Sequence, residues 1–220
     1  MNFTKTFDEI LSSVDKLFKE IDMTPQNFYQ GEPEWNEFYN KLEDMDRLGI
    51  LHSGLTKFVL DLNPNDNFVI KMPFAGHYYS YCVSDPDERF QDYPVNHCQR
   101  ELEDYNYFKD TDIGFLLVPT YFVGKVGEME VYIQPKVEPY SYENHSASRK
   151  SYQVAESLEY FECTADDEDS IAAFIEAFGE EEGQHILSML DDYGIRDIHT
   201  GNFGYQDGKL VIFDYCGYHL

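Results

Sequence analysis

The hydrophobic period changes along this chain, and the change limits the folds that it can adopt. Up to residue 48 apolar residues recur every three or four positions, the spacing of an amphipathic helix. From Gly49 they recur mainly at every second position, the spacing of a half-buried strand. Beyond residue 136 the helical spacing returns, and a hairpin pattern follows it. The sequence therefore predicts an α+β fold.

The first helical segment covers residues 1–48. An apolar stripe over residues 3–21 predicts one helix, with Thr4 or Thr6 as its N-terminal cap. Pro33 predicts the start of a second helix, because proline is favoured in the first helical turn. We expect these helices to form an N-terminal extension that packs on the rest of the chain.

Residues 49–135 predict five strands and one helix in the order βββαββ. The clearest signal is a hairpin over residues 55–72 that turns at residues 63–66. The segment 73–94 is rich in Tyr, Pro and Asp, which predicts a loop or an irregular insertion. The helix is expected at 95–109, and the last two strands at 118–124 and 129–134.

Residues 136–220 predict a second, helix-rich region. Helices are expected at about 147–161, 168–178 and 181–193. The dipeptide Asp207-Gly208 between alternating apolar residues predicts a hairpin over residues 202–213.

The charge of the chain limits its partners. There are 42 Asp and Glu residues against 16 Lys and Arg residues, so the formal net charge is −26. Such a surface repels nucleic acids and anionic membranes, since both carry negative charge. It suits a basic protein partner, although a simple solvated acidic surface also explains it. A hydrophobic fraction of 42% still supports a packed core.

The sequence also indicates a compartment. No apolar run approaches the roughly 20 residues that a membrane span requires, and the charged start does not resemble a secretory signal. The cysteines are too widely spaced to predict a zinc site or a disulfide framework; they are Cys82, Cys98, Cys163 and Cys216. We therefore expect a cytoplasmic protein.

The segment most informative about possible catalytic chemistry is Ile195-Arg-Asp-Ile-His-Thr-Gly-Asn202. The hairpin that follows it returns Asp214 to the end of the loop, so that Asp197, Asn202 and Asp214 are expected to converge. Their oxygens suit Mg²⁺, which binds a few side chains together with substrate phosphates. Asp197 could instead orient or deprotonate an attacking hydroxyl. The three residues could also be turn residues and a strand cap.

This segment resembles the catalytic loop of the protein-kinase-like superfamily. Asp197 and Asn202 have its D-x-x-x-x-N spacing, and Arg196-Asp197 matches the Arg-Asp of protein kinases. The run from Asp197 to Asn202 is also similar to the D-x-H-x-G-N motif of aminoglycoside and choline phosphotransferases. The resemblance implies that Asp197 is the catalytic base, and we expect His199 to orient it.

Asp214 lies where the metal-binding aspartate of the kinase D-F-G motif would fall. Tyr215 takes the Phe position, and Gly217 comes one residue late. The resemblance implies that Asn202 and Asp214 hold Mg²⁺. The sequence ends six residues after Asp214, so we expect no long activation segment or large C-terminal substrate region.

The first half offers the remaining kinase motifs. The tripeptide V-I-K that ends at Lys71 is similar to V-A-I-K with one residue missing. In the superfamily this lysine pairs with phosphates and with a glutamate of the next helix. Glu101 and Glu103 are the candidates, and residues 96–101 resemble the corresponding helix of small bacterial and phage kinase-like proteins, which favours Glu101. Helical spacing places Glu101 beside Cys98, facing inward. Taken singly, Lys71 also fits a surface lysine and Glu101 a solvated helix residue.

Two further segments resemble nucleotide-binding segments of kinases. Ser53 and Gly54 lie where the phosphate-covering loop of kinases belongs, with one glycine instead of three. Residues 133–138 resemble the hinge that contacts adenine, which implies a cofactor-binding role for Gln134. Lys57 is a second lysine expected near the phosphates.

The resemblance covers residues 48–217 and implies a two-lobed, protein-kinase-like fold. An antiparallel-sheet N-lobe with one helix would span residues 49–135. A truncated, helical C-lobe would span residues 136–220, and the N-terminal helices of residues 1–48 would precede both. The implied cofactors are ATP and Mg²⁺.

Three functions fit this sequence. The first is an ATP- and Mg²⁺-dependent phosphotransferase that acts on a protein or a small hydroxyl substrate. The second is a catalytically inactive, acidic binding module, such as a phage-encoded modulator of a host protein. The third is nucleotidyl transfer from ATP.

Overall fold

The computed structural model describes residues 2–78, 90–92, 96–140, 168–195 and 197–215. The helices in this part of the chain are α1 (Phe7–Glu20), α2 (Pro33–Asp44), α3 (His97–Phe108), α4 (Glu168–Phe178) and α5 (Glu180–Asp192). The strands are β1 (Tyr29–Gln30), β2 (Leu51–Ser53), β3 (Lys57–Leu60), β4 (Phe68–Pro73), β5 (Gly76–Tyr78), β6 (Phe90–Asp92), β7 (Tyr121–Val126), β8 (Met129–Pro135), β9 (Glu138–Pro139), β10 (Phe203–Gln206) and β11 (Lys209–Ile212). The helices predicted at 168–178 and 181–193 are confirmed, and the one predicted at 147–161 lies outside the described residues.

The N-terminal apolar stripe forms α1 because its first turn is capped. The Thr6 hydroxyl accepts a hydrogen bond from the Glu9 backbone amide, and the Glu9 carboxylate accepts one from the Thr6 backbone amide. The hydrogen bond from the Thr6 backbone lowers the pKa of Glu9 below its ordinary value. Thr6 is therefore the one of the two predicted caps that begins the helix.

Five antiparallel strands form the main sheet in the order β2-β3-β4-β8-β7. Strands β2, β3 and β4 follow one another as a meander, and β8 then pairs with the free side of β4. Helix α3 lies between β4 and β7 along the chain, so the predicted order βββαββ is confirmed for this sheet. Strand β4 is central.

One face of this sheet packs on α1 and α2. Alternate residues of the central strands are buried there, among them Phe58, Ile70 and Ile133. Their partners are mainly aromatic side chains of the helical segment and the loop between the helices: Phe18, Phe28, Trp35 and Phe38. The helices of residues 1–48 thus share one hydrophobic core with the sheet.

A smaller sheet has the strand order β1-β5-β6. Strand β5 pairs in parallel with β1 and antiparallel with β6. Strands β5 and β6 lie within residues 73–94, for which the sequence predicted a loop or an irregular insertion. The described parts of that segment are therefore extended strands, because their backbone groups pair with one another and with β1.

The chain divides into two units. The first contains Met1–Leu102 and Thr120–Pro135, and the second contains Glu103–Pro119 and Lys136–Leu220. The core of the second unit is formed by α4, α5 and the β10–β11 hairpin, including Phe174, Leu190, Phe203 and Ile212. Asp207 and Gly208 have φ angles of 52° and 74°, as the predicted Asp-Gly hairpin turn requires. In the described part of the chain, every helix is too short or too polar to span a bilayer.

Candidate functional site

The sheet face opposite the aromatic core carries two lysines. Lys71 alternates with the core residues Ile70 and Met72, so its side chain leaves β4 on the other face. Val59 of β3 lies opposite Lys71, and Lys57, two residues earlier, shares the same face. The side chains of Lys71 and Lys57 are only 3% and 5% exposed.

Glu101 of α3 joins the two lysines. Its Oε2 lies 2.9 Å from Lys71 Nζ, and its Oε1 lies 2.8 Å from Lys57 Nζ. The predicted ion pair between Lys71 and Glu101 is therefore present, while Glu103, the other candidate, is exposed. The Glu101 side chain is fully buried, and a carboxylate is stable in such a place only when cations and hydrogen bonds compensate its lost hydration.

Two buried polar side chains extend this cluster. The Thr120 hydroxyl donates a hydrogen bond to Glu101 Oε2 over 3.0 Å. The same hydroxyl accepts a hydrogen bond from Gln134 Nε2 over 3.2 Å. Gln134 thus directs its amide nitrogen toward Thr120, and its predicted role in nucleotide binding stays a prediction.

A second network fixes the start of α3, which positions Glu101. Asn96 Oδ1 caps the helix by accepting a hydrogen bond from the Gln99 backbone amide at 3.0 Å. Asn96 Nδ2 and the Tyr132 hydroxyl both donate to Glu130 Oε2, at 2.7 and 2.8 Å. Burial opposes ionisation of Glu130, but the hydrogen bond from Tyr132 and those that accompany it lower its pKa overall. Burial is also the main reason that the pKa of Tyr132 is raised.

Ser53 ends β2, and Gly54 begins the turn that leads to β3. The Gly54 amide donates a hydrogen bond to the Lys57 carbonyl oxygen at 3.0 Å, and the Gly54 carbonyl accepts one from Gln30 Nε2 at 2.7 Å. The Ser53 hydroxyl donates to the Gly54 carbonyl oxygen at 3.3 Å. The amide of the single glycine therefore serves the hairpin itself, and phosphate binding by this turn stays a prediction.

In the second unit, Asp197 and Asn202 are joined directly. Asn202 Nδ2 donates hydrogen bonds to the Asp197 carbonyl oxygen at 2.8 Å and to Asp197 Oδ2 at 3.2 Å. Asn202 is 7% exposed, whereas the Asp197 side chain is 38% exposed. The D-x-x-x-x-N spacing thus brings the two residues together as predicted. Arg196 lies outside the described residues.

His199 lies inside this loop and contacts Asp197 loosely. Its Nδ1 accepts a hydrogen bond from the Gly201 backbone amide at 3.0 Å, so a neutral ring carries its proton on Nε2. Nε2 lies 3.7 Å from Asp197 Oδ1, which is longer than a hydrogen bond. A Cβ on Gly201 would lie 2.9 Å from the His199 ring, so glycine permits this close approach.

The β10–β11 hairpin returns Asp214 to the same loop. The Asn202 carbonyl oxygen accepts hydrogen bonds from the backbone amides of Phe213 at 2.9 Å and Asp214 at 3.2 Å. Tyr215 is fully buried, and its hydroxyl donates to the Val118 carbonyl oxygen at 3.0 Å. These bonds hold the Asp214 backbone beside the Asn202 backbone, while convergence of the Asp214 carboxylate with the Asn202 side chain stays a prediction.

This loop contains oxygen donors of the kind that Mg²⁺ accepts. Because Asn202 Nδ2 is directed at Asp197, the carbonyl end of its amide is directed away from Asp197. This oxygen and the Asp214 carboxylate are the hard oxygen ligands that Mg²⁺ prefers when phosphates and waters complete its coordination. In the described ranges, no three His, Cys, Asp or Glu side chains converge into a cluster that could hold a metal.

Two members of the buried cluster were not identified from sequence in their observed roles. Lys57 was expected near phosphates but not as an ion-pair partner of Glu101, and Thr120 was not singled out. The signal for Lys57 was its position in a strand whose alternate residues are apolar, which places it on the same sheet face as Lys71. Thr120 carried no comparable signal, because its contact with Glu101 depends on how α3 packs.

A comparison with protein-family models, curated proteins and solved structures finds no match to this chain. The geometry of the two residue sets therefore carries the functional proposal.

Proposed function

We propose that this protein is an ATP- and Mg²⁺-dependent phosphotransferase that acts on a protein or a small hydroxyl compound. The observation that carries the proposal is the buried ion pair between Lys71 and Glu101. The lysine belongs to the central strand of a five-stranded antiparallel sheet, and the glutamate belongs to the helix that precedes the last two strands. The kinase-like superfamily that the sequence resembles uses a lysine and a glutamate in this order.

In the proposed reaction, Lys71 binds phosphate oxygens of the nucleotide. Glu101 restricts the side chain of Lys71, and Thr120 restricts the carboxylate of Glu101. The ammonium group is therefore positioned before the nucleotide arrives. Preorganised charge of this kind stabilises the transition state without reorganisation during the reaction.

The loop of the second unit carries the residues to which the resemblance assigns proton transfer and metal binding. Asp197 accepts the proton of the attacking hydroxyl, whose oxygen bonds to the γ-phosphorus of ATP as the bond from that phosphorus to ADP breaks and ADP leaves. The partial exposure of Asp197 leaves it accessible to an acceptor substrate. Asn202 and Asp214 would hold Mg²⁺ through oxygen ligands, and Mg²⁺ would neutralise charge on the transferred phosphoryl group. The hydrogen bond between Asn202 and Asp197 keeps the metal-binding and proton-accepting residues in a fixed relation.

A non-catalytic binding module is the second candidate. The observation that favours it is the Gly54 amide, which donates to Lys57 within the hairpin. A kinase-like phosphate loop binds through free backbone amides, and a single glycine offers few of them. In this case the acidic surface, with its net charge of −26, would bind a basic protein partner.

The position of a radioactive label in ATP tests the proposal. The protein is incubated with Mg²⁺ and ATP labelled at either the γ or the α phosphorus, together with basic protein acceptors and small alcohols. Phosphotransfer predicts labelled acceptor from γ-labelled ATP only, and loss of the product in Asp197→Asn. Asp207→Asn is the matched control, because Asp207 is an exposed turn residue of the adjacent hairpin.

The other outcomes separate the remaining candidates. Transfer from α-labelled ATP would indicate nucleotidyl transfer. The binding module is favoured if two results occur together. ATP binds but neither label is transferred, and Asp197→Asn binds the partner as well as the unsubstituted protein does.

A further inference from the structure

A pocket of about 150 Å³ in the first unit lies between α1 and the segments that follow α2 and β3. Three cationic side chains line it, although the whole chain has only 16 Lys and Arg residues against 42 Asp and Glu residues. We propose that this pocket binds a phosphate group through Lys5, Lys16 and Arg47.

One face of α1 forms a wall of the pocket. Ser13, Lys16, Leu17 and Glu20 are spaced three or four positions apart, so their side chains leave the same side of the helix. Leu17 belongs to the core between α1 and the main sheet, whereas Lys71 lies on the other face of that sheet. The pocket is therefore separate from the proposed nucleotide site, and its test does not depend on the proposed function.

The cations have N–H donors to offer a ligand. Within the described part of the chain, the only ionic partner of Lys16 is Glu20 Oε1, which is 3.5 Å away and thus beyond a good hydrogen bond. Arg47 contacts the other oxygen of Glu20 through one terminal nitrogen of a group that carries five N–H donors. Lys5 Nζ has three donors and lies 2.7 Å from Asp66 Oδ2.

Positive charge is in excess at this pocket. The three cations pair with two carboxylates, those of Glu20 and Asp66, so one positive charge lacks a carboxylate. The side chains of Lys5 and Arg47 are 27% and 29% exposed, which reduces the screening of their charges by salt. An anion in the pocket would supply the missing negative charge and accept charge-assisted hydrogen bonds.

A tetrahedral oxyanion suits three cations better than a carboxylate does. Phosphate presents oxygens in four directions, whereas a carboxylate presents two oxygens in one plane. The guanidinium of Arg47 matches two phosphate oxygens, and the lysines bind as point charges. The pocket volume of about 150 Å³ is several times the roughly 30 Å³ that one water takes in the liquid, so a group of five heavy atoms can enter. Free phosphate and a phosphorylated side chain offer this same chemistry.

Removing a pocket cation should weaken phosphate binding. We expect Arg47→Met to raise the dissociation constant for inorganic phosphate at least about tenfold, since charge-assisted hydrogen bonds are lost. Lys16→Met should raise it about threefold, because an ammonium that is 76% exposed is well screened. If Arg47→Met does not fold by circular dichroism, Lys16→Met still tests the proposal, since substitution of so exposed a residue rarely affects folding.

Lys41→Met is the matched control. The Lys41 side chain is 30% exposed and forms a 3.0 Å ion pair with Glu37, in the same unit but away from the pocket. This variant removes one positive charge and one ion pair, as Arg47→Met does. Its dissociation constant for phosphate should differ from that of the unsubstituted protein by less than about 1.5-fold.

An NMR titration of the full chain with inorganic phosphate, without nucleotide or Mg²⁺, measures affinity and location together. The proposal predicts that the amide signals of the α1 wall move and that the pocket variants lose affinity while Lys41→Met does not. Three results would overturn it: no shift at tens of millimolar phosphate, shifts only outside the pocket, or equal affinities in the pocket variants and the control. Acetate that binds as tightly as phosphate would also overturn it.

A peptide with one phosphoserine, compared with the same peptide unphosphorylated, identifies the source of the phosphate group. Binding of the phosphorylated form alone, with shifts of the same amides, supports the proposal with a phosphorylated polypeptide as the ligand. Binding of inorganic phosphate but of neither peptide supports it with free phosphate as the ligand. Equal binding of the two peptides at this pocket would contradict recognition of a phosphate group.

Discussion

Asn202 donates its side-chain amide to the carbonyl oxygen of Asp197 at 2.8 Å, across the loop that carries both residues. Asp197 has a φ angle of 67°, a left-handed conformation that residues with a Cβ adopt rarely. The hydrogen bond from Asn202 is one of the contacts that compensate this backbone strain. Strained backbone at a residue with an accessible carboxylate is typical of functional loops.

The backbone strain at Asp197 predicts different stabilities for two variants that both lack the carboxylate. Asp197→Gly should be more stable than Asp197→Ala by about 1 kcal/mol, because glycine adopts positive φ without a steric penalty. Both should lose phosphoryl transfer, since neither can accept a proton. Urea unfolding and the label-transfer assay measure the two properties. Equal stability of the two variants would show that this residue is not strained.

The lowered pKa of Glu130 predicts that acid weakens the hydrogen-bond network that joins the start of α3 to β8. Because its pKa is lower in the folded than in the unfolded protein, ionised Glu130 stabilises the fold above its ordinary value of 4.5. That contribution is lost as the pH falls through the lower, folded-state pKa. Glu130→Gln should therefore have a lower thermal midpoint than the unsubstituted protein at pH 7, and the difference should shrink toward pH 3. A difference that does not vary with pH would contradict this prediction.

Neighbouring residues of α2 test whether the N-terminal helices belong to the core of the first unit. Phe38 is fully buried against Phe18, Phe28 and Phe58, and Tyr39 is 39% exposed. Phe38→Ala should lower the free energy of unfolding by about 3–5 kcal/mol. Tyr39→Ala, the matched control, should lower it by less than about 1 kcal/mol. Similar values for the two variants would mean that α2 does not share the core.

Gly201 provides a test of the His199 geometry. A Cβ at Gly201 would meet the His199 ring, so Gly201→Ala should displace the ring and weaken its hydrogen bond with the residue 201 amide. Gly49→Ala is the matched control, because a Cβ there meets no atom within 4 Å. The His199 ring signals in an NMR spectrum should move in the first variant only. Unchanged signals would show that the ring does not lie against Gly201.

The local elements could be predicted from sequence because their signals are local. The Asp207-Gly208 turn has the positive φ angles that this dipeptide favours, and alternating apolar residues set the register of the strands around it. The cap of α1 at Thr6 is one of the two positions that the local pattern offered. The pairing of Lys71 with Glu101 followed from the resemblance to kinase motifs.

The remaining features depend on contacts between distant residues. Lys57 and Thr120 join Glu101 because α3 packs on the sheet at one particular angle and depth, which no local pattern encodes. Strand β5 pairs with β1 across more than forty residues, and both are too short to show a period. The positive φ of Asp197 likewise depends on the whole loop and on the position of Asn202.

The most direct test of the central claim is a thermal-shift titration with ATP, in Mg²⁺ and then in EDTA. A ligand that binds only the folded state raises the thermal midpoint as its concentration exceeds the dissociation constant. We expect ATP to raise the midpoint by a few degrees in Mg²⁺, with little change in EDTA and little change in Asp214→Asn. Asp207→Asn, on the exposed turn of the same hairpin, should behave like the unsubstituted protein. No shift at millimolar ATP, or an equal shift in Asp214→Asn, would contradict the proposed metal-dependent nucleotide site.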